Sequence, residues 1–401
     1  MFARRLKIMK IFKWFFVFLF FIDTQAHALT DKVYKELSTF TKILELVDQY
    51  YVDEVKDEEL IHGAIKGMLF GLDAHTVYLP AEIYRDFKSD TKGRFGGVGI
   101  EVTVQDGFIT VVAPIEDSPA DKANIKSGDR ILSIDGKSAK SMSLGEAVHL
   151  MRGPIGKKVI LGIWQREQKQ ANSIALKREL IKVENVKLEN LSEGYGYFRI
   201  TSFQEGTAKN LKNAIENFEK EYGELKGIML DLRDNPGGLL SEAVKISDYF
   251  LKTGVIVSTK GRTQIQDVKR AHLTGTLPEI PVVVLVNHGS ASAAEIVAGA
   301  LQDHARAKII GTKSYGKGSV QTVIDLDGGD ALKITIAHYL TPKNRMIDGK
   351  GIDPDVKVDQ KDFKKKMKQD GTKVDEDSEL TREGYMIFQK QEALKYLKKM
   401  K

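Results

Sequence analysis

The residues best placed to do chemistry are Lys317, set among glycines and serines in "GTKSYGKGSVQT" (311–322), and the two serines of "GSAS" (289–292). Gly311, Gly316 and Lys317 nearly spell a phosphate-binding loop, G-x-x-x-x-G-K-[ST]. That loop needs a hydroxyl residue after the lysine, to hold magnesium, and then a helix. Here Gly318 takes the hydroxyl position, and "SVQTVIDL" is β-branched and alternating, the pattern of a strand. The nucleotide reading fails on both counts. Lys317 has to serve other chemistry.

An apolar strand, "PVVVLVN" (281–287), runs into Gly289-Ser290-Ala291-Ser292, and a helical stretch follows. A serine at such a junction is exposed at the strand end, and the electropositive helix N-terminus favours negative charge beside it. Both features suit a nucleophile. Ser292 with Glu295 also fits S-x-x-E, a helix capping box, which is much commoner than a catalytic serine. Ser290 competes for either role. A nucleophilic serine needs a base. His288 and His304 are near in sequence, but nothing marks an acid to orient His288. A lysine serves instead if it is neutral, which requires its pKa to fall from about 10.4 to near 7–8 through burial. The small uncharged neighbours of Lys317 are compatible with that.

The elements that must position these groups follow from patterning. Residues 1–28 combine a basic start, the apolar run "WFFVFLFFI" and a small-x-small end at Ala26 and Ala28, the features of a secretory signal peptide. A retained membrane anchor is the alternative, but nine apolar residues are short for a bilayer. This segment carries four of the six net positive charges, so the remainder is nearly neutral and has no basic stripe for nucleic acid. With no cysteine in 401 residues, thiol catalysis, disulfides and Cys-ligated metals are excluded. Residues 29–90 read as helical: Leu37, Phe40, Ile43, Leu44, Val47 and Tyr50 recur at three- and four-residue steps. Residues 91–180 read as short strands and turns with a helix at Leu144–Met151, and 181–360 alternate strands with helices, an α/β pattern. Residues 361–401 are dense in Lys, Asp and Glu and are expected to form a solvated appendage, with a short helix near 383–398.

Two resemblances sharpen this. The segment 91–180 resembles a PDZ domain, with Gly97-Val98-Gly99-Ile100 at the carboxylate-binding loop and "SPADKANIKSGDRILSIDG" at the expected distance. Glycines let successive N–H groups converge on a terminal carboxylate, and the peptide adds as a strand. Leu144, Ala147 and Val148 are then expected to line a pocket for its last side chain. "GSASAAEI", followed by "GTKSYGKGSVQ" with Lys317 twenty-five residues after Ser292, resembles the carboxyl-terminal processing (tail-specific) proteases. "LDLRDNPGGLL" (230–240), "YLTPKNRMIDGKGIDPDV" (339–356) and "LDAHTVYL" (72–79) extend the likeness over about 35–358.

The resemblance implies an α/β, ClpP/crotonase-like protease core with an inserted β-rich PDZ domain and an N-terminal helical dimerisation module. It makes Ser292 the nucleophile, Lys317 the general base and Gln321 the residue that orients the lysine, and Glu295 is free to cap the helix as well. The oxyanion hole falls to the N–H groups of Ala293 and Gly238, with Gly237 also open. Arg152 in "MRGPIG" resembles an arginine that couples the PDZ domain to the core. No metal or cofactor is implied. Partners would be protein substrates with accessible apolar C-termini and further copies of the chain, with room for an adaptor protein and none for nucleic acid. The location would be exported, in a periplasm or cell envelope. "DAHT" (73–76) departs from the family's usual Pro-His-Ser, but it is far along the chain from the catalytic motifs, so no doubt falls on catalysis. Two rival readings are a catalytically inactive PDZ scaffold that binds exported C-termini, and a crotonase-like acyl-transfer enzyme, which leaves the PDZ segment unexplained.

Overall fold

The computed structural model describes residues 30–115, 117–142, 144–165, 170–182, 184–191, 193–262, 266–369 and 379–400. The signal-peptide expectation for 1–28 lies outside these. Among the described residues, no helix is long and apolar enough to cross a membrane. The chain divides into two compact units between Met68 and Leu69. The first contains helix Asp31–Tyr50, which buries none of its residues and leaves Leu37, Phe40, Ile43 and Leu46 exposed by 40–55%.

The second unit is built on a six-stranded sheet. Its order is Val186–Asn190, Tyr195–Ile200, Gly227–Asp231, Val282–Val286, Lys308–Gly311 and Val356–Lys357; the first pair is antiparallel and the others are parallel. The central strands "GIMLD" and "VVVLV" are buried along their whole length. A parallel strand covered on both faces reads as a near-continuous apolar run, which is why these strands do not alternate; the exception is Asp231 at the end of the first, which is paired. Ile228, Leu230, Val282 and Val284 face one core with helices Thr207–Tyr222, Leu240–Phe250 and Ala293–Asp303, the helices that the sequence places between the strands.

Met229, Val283 and Leu285 point to the opposite face, and there the expectation for the C-terminal segment is overturned. Residues 360–369 and 379–397 form helices whose Phe363, Phe388, Ala393 and Leu397 are buried against Met229, Val283, Leu285 and Ile310. Among the described residues, charges such as Lys361, Lys365, Glu383, Lys395 and Lys399 are exposed and mask a sparse apolar face. It is the second layer of the core, not a solvated appendage.

One polar group joins this layer to the sheet. Arg233 is 2% exposed and ion-paired with the buried Asp231. Its Nη1 donates to the Met386 carbonyl (2.8 Å) and to Gln389 Oε1 (3.1 Å) on the last helix. Tyr197 donates to Asp231 Oδ2 at 2.8 Å. Burial first, then the Asp231 carboxylate, pushes the tyrosine hydroxyl well above its ordinary pKa, so it stays a donor. Arg233→Met removes the charge partner and leaves a buried carboxylate, so it should cost about 3–5 kcal/mol. Denaturant unfolding checks this; a midpoint equal to that of the parent would show the pair to be dispensable.

A second, five-stranded sheet contains Val77–Leu79, Val255–Gly261, Gln266–Arg270, Ser319–Asp325 and Ala331–Leu340. The PDZ-like segment has its own core around Ile131, Ile134, Val159, Leu161 and Ile163, and Leu144–Met151 is its helix.

Candidate active site

Strand Val282–Val286 ends in a tight loop, and helix Ala293–Asp303 starts directly after Ser292. Ser292 has φ 54° and ψ −113°. A non-glycine residue in that region costs about 1–3 kcal/mol and persists only where its surroundings impose it. Ser290 is fully buried; its hydroxyl donates to the Leu232 carbonyl at 2.7 Å and accepts the Asn287 N–H at 3.0 Å. It fastens the loop to the neighbouring strand end. Of the two serines, Ser292 is the one left half-buried at the surface of the turn. Among the described residues, neither histidine alternative is bonded to Ser292. His304 is at the far end of the helix, bonded to the Val255 carbonyl at 2.7 Å, and His288 is exposed beside the Tyr315 ring.

Glu295 was expected as a cap, and its carboxylate does accept the Ser292 N–H at 2.9 Å. It is completely buried and does more than that. The same oxygen, Oε2, accepts the Lys317 N–H at 2.9 Å, while Oε1 accepts the Gly316 N–H (2.7 Å) and the Ser314 hydroxyl. Two nitrogens on one oxygen are no further apart than twice that bond length. Capping and the approach of Lys317 to Ser292 are therefore one piece of architecture.

The glycines around Lys317 now have a reason. A Cβ on Gly318 would lie 2.1 Å from the Asp348 nitrogen, and one on Gly316, at φ 92°, would lie 2.9 Å from the Gly351 nitrogen. The turn "IDGKGI" thus packs backbone to backbone on the lysine loop. Gly318 donates to Asp348 Oδ1 (3.1 Å) and Gly349 to the Gly316 carbonyl (2.9 Å). After the lysine comes strand Ser319–Asp325, as its alternation predicts.

The "DNPGG" loop lies against the serine turn. A Cβ on Gly237 would come within 2.7 Å of Ser292 Cβ and 2.9 Å of the Ala293 nitrogen. Asn235, which the sequence reading passed over, holds this loop. Its Nδ2 donates to the Ile200 carbonyl (2.7 Å), its Oδ1 accepts the Gly237 N–H (2.8 Å), and its carbonyl accepts the Ala291 N–H (2.9 Å). That uses up the Gly237 donor. Among the described residues, no acceptor is bonded to the N–H of Gly238 or of Ala293. Of the two glycines left open by the sequence, Gly238 is the one with a donor to offer.

Gln321 Nε2 is bonded to the hydroxyls of Ser319 (2.9 Å) and Thr335 (3.4 Å). Its expected contact to Lys317 is not among its bonds here. Thr335 in turn donates its N–H to Thr76 Oγ1 at 3.2 Å. The "DAHT" segment is thus remote from the catalytic motifs only in sequence. His75 is held below its ordinary pKa by burial first and, whenever Lys317 is protonated, by that neighbouring charge second.

In the PDZ-like unit, a cavity of about 230 Å³ is lined by Gly97, Val98, Gly99, Ile100, Val148, Met151 and Arg152, together with Phe95, Glu101 and Val102. Leu144, expected to line it, does not and is 37% exposed, and Ala147 is in the unit's own core; Met151 takes the place next to Val148 because it falls three residues further along the helix. Arg152 lies over the Phe95 ring at 4.2 Å and pairs with Asp90 at 2.6 Å. Asp90 belongs to helix Ala81–Thr91, whose Tyr84 packs with Leu79 and Ala331. Arg152 therefore borders the groove and also bonds an element seated on the second sheet.

Comparison with known proteins agrees with this architecture. Residues 194–358 match peptidase family S41, residues 110–165 a PDZ domain, and residues 21–83 the N-terminal domain of the activating protease CtpB. The chain is 48% identical over 331 residues to a carboxy-terminal-processing protease of Bartonella bacilliformis, covering 82% of this chain and 76% of that one. It is 40% identical to carboxy-terminal processing protease CtpA of Bacillus subtilis, over 81% of this chain and 69% of that one. The solved photosystem II D1 C-terminal processing protease aligns over 82% of this chain and 94% of its own, with 28% identity and a TM-score of 0.49. The chain belongs to the carboxy-terminal processing proteases, PDZ-containing serine peptidases of family S41.

Proposed function

We propose that this chain is an exported endopeptidase that captures the C-terminal tail of a protein substrate in its PDZ groove and cuts peptide bonds with a Ser292–Lys317 dyad. The observation that carries the reading is the Glu295 carboxylate, whose Oε2 holds the N–H groups of both residues at 2.9 Å. Neutral Lys317 takes the Ser292 hydroxyl proton as the oxygen attacks the peptide carbonyl. The N–H groups of Gly238 and Ala293 receive the oxyanion. Collapse expels the amine, which takes the proton from the Lys317 ammonium, and leaves an acyl ester on Ser292. Water, deprotonated by Lys317, hydrolyses the ester and restores the enzyme.

The tail carboxylate is assigned to the Gly97–Ile100 loop and its last side chain to the pocket beside Val148 and Met151. Arg152, which borders that groove and pairs with Asp90, couples occupancy to the core. Export rests on the N-terminal sequence pattern. The exposed apolar stripe Leu37, Phe40, Ile43 and Leu46 suits assembly with another copy of the chain.

The test is cleavage of an unstructured protein ending in an apolar residue, beside the same protein with an amidated tail. Ser292→Ala and Lys317→Ala are run in parallel. Cleavage by the parent alone, slowed by amidation, is the expected result. Undiminished cleavage by Ser292→Ala would put the nucleophile elsewhere. Tail binding without cleavage by any version would favour a scaffold.

A further inference from the structure

The loop before strand Val77–Leu79 is tied by one carboxylate. Asp73 Oδ1 accepts the N–H groups of His75 (2.6 Å) and Thr76 (2.8 Å), and Oδ2 accepts the Thr76 hydroxyl at 2.8 Å. Thr76 is 2% exposed. Having donated its single proton to Asp73, its oxygen accepts the Thr335 N–H at 3.2 Å. The Thr335 hydroxyl is bonded to Gln321 Nε2, which also holds Ser319 Oγ. The two bonds occupy the nitrogen end of the Gln321 amide. Among the described residues, no donor is bonded to its carbonyl oxygen. The following strand pairs Val77 with Lys333, which docks this loop on the strand that carries Thr335.

We propose that Asp73 and Thr76 are positioning residues for the reaction: through Thr335 they fix the Gln321 amide so that its carbonyl oxygen is presented to the side-chain nitrogen of Lys317. The proposal rests on Lys317 as general base. A carbonyl acceptor takes one hydrogen of the lysine nitrogen and so aims its lone pair, or its transferred proton, at the serine oxygen. A glutamine free to rotate offers its NH₂ as readily, and a donor facing the lysine misdirects it. This also explains why a loop more than two hundred residues upstream belongs to the site. Among the described residues, the titratable groups around Lys317 are His75 from this loop, Lys333 from strand Ala331–Leu340, Asp348 from the turn that follows, and Glu295 from the helix.

Thr76→Val keeps the shape and removes the hydroxyl. The expected result is a fall of about tenfold in kcat with KM nearly unchanged, since aim is lost and not binding. Thr76→Ser recovers most of the loss. The decisive measurement is the double-mutant cycle with Gln321→Ala. If Thr76 acts through Gln321, Thr76→Val has no further effect in the Gln321→Ala background. Additive losses would overturn the proposal and leave Thr76 a packing residue. If Thr76→Val shows no thermal transition, Asp73→Asn enters the same cycle and reads the same chain of bonds. Ser292→Ala and Lys317→Ala are assayed alongside. Should either still cut, the dyad reading has failed; should both be inactive while the cycle is additive, only the positioning chain falls.

Discussion

Ser292→Gly should give a protein that is more stable than the parent and does not cut. The nucleophile proposed above sits at φ 54°, where a side chain is strained and glycine is not. Relief of about 1–3 kcal/mol is expected, and glycine at a helix N-cap forfeits only a few tenths. Melting should therefore rise by a few degrees, while cleavage drops by at least about 10⁴-fold with the hydroxyl gone. Ser290→Gly, two residues away, should behave oppositely in stability. Its hydroxyl bridges the Leu232 carbonyl and the Asn287 N–H inside the core; without it the carbonyl keeps only the long bond from the Asn235 N–H (3.4 Å) and the Asn287 N–H loses this acceptor. Calorimetry and a cleavage assay on the two variants separate the roles. A Ser292→Gly protein that melts below the parent would mean the turn is not strained. One that still cuts would mean the hydroxyl is not the nucleophile.

Glu295→Gln should lose both fold stability and catalysis, although it changes one oxygen to NH₂. Each carboxylate oxygen faces two donors: Ser292 and Lys317 on Oε2, Ser314 and Gly316 on Oε1. An NH₂ on the Oε2 side meets two fixed N–H groups; on the Oε1 side it meets the Gly316 N–H, and the Ser314 hydroxyl has to turn round to accept it, all in a fully buried site. About 3–5 kcal/mol of stability should go, since at least one buried donor is stranded and the charge-assisted bonds, worth about 1.5–3 kcal/mol each, are weakened. The separation of Ser292 from Lys317 then loses its anchor, and kcat should fall by about 10²–10³-fold. Under the simple reading of Glu295 as a helix cap, the loss is about 1 kcal/mol with kcat intact. The two readings differ most in kcat measured at a temperature where the variant is fully folded.

Much of this architecture is legible along the chain, because it is carried by local pattern. The apolar runs at 228–230 and 282–286 read as strands, which the sheet covers on both faces, and the serine, glycine and lysine signatures are short. The PDZ-like helix at Leu144–Met151 and the strand after Lys317 follow from periodicity and β-branching. The misreadings share a cause. Helices 360–369 and 379–397 bury a few apolar residues beneath a dense charge, so composition mistakes an inner layer for an appendage. Leu144 and Met151 lie on one short helix, and its rotation against the groove is set by packing, not by its sequence.

The site itself belongs mostly to the tertiary structure. S-x-x-E announces a cap at Glu295, but the N–H of Lys317 reaches the same oxygen from a loop that sequence separates by 22 residues. Nothing local distinguishes Gly237 from Gly238 until Asn235 occupies one of the two donors. "DAHT" looks remote until Thr76 meets Thr335, 259 residues away. Residue types and short spacings determine which groups are available and which elements carry them. Which buried donor meets which acceptor depends on long-range contacts, because every buried polar group must find a partner and the chain supplies that partner only after it has folded.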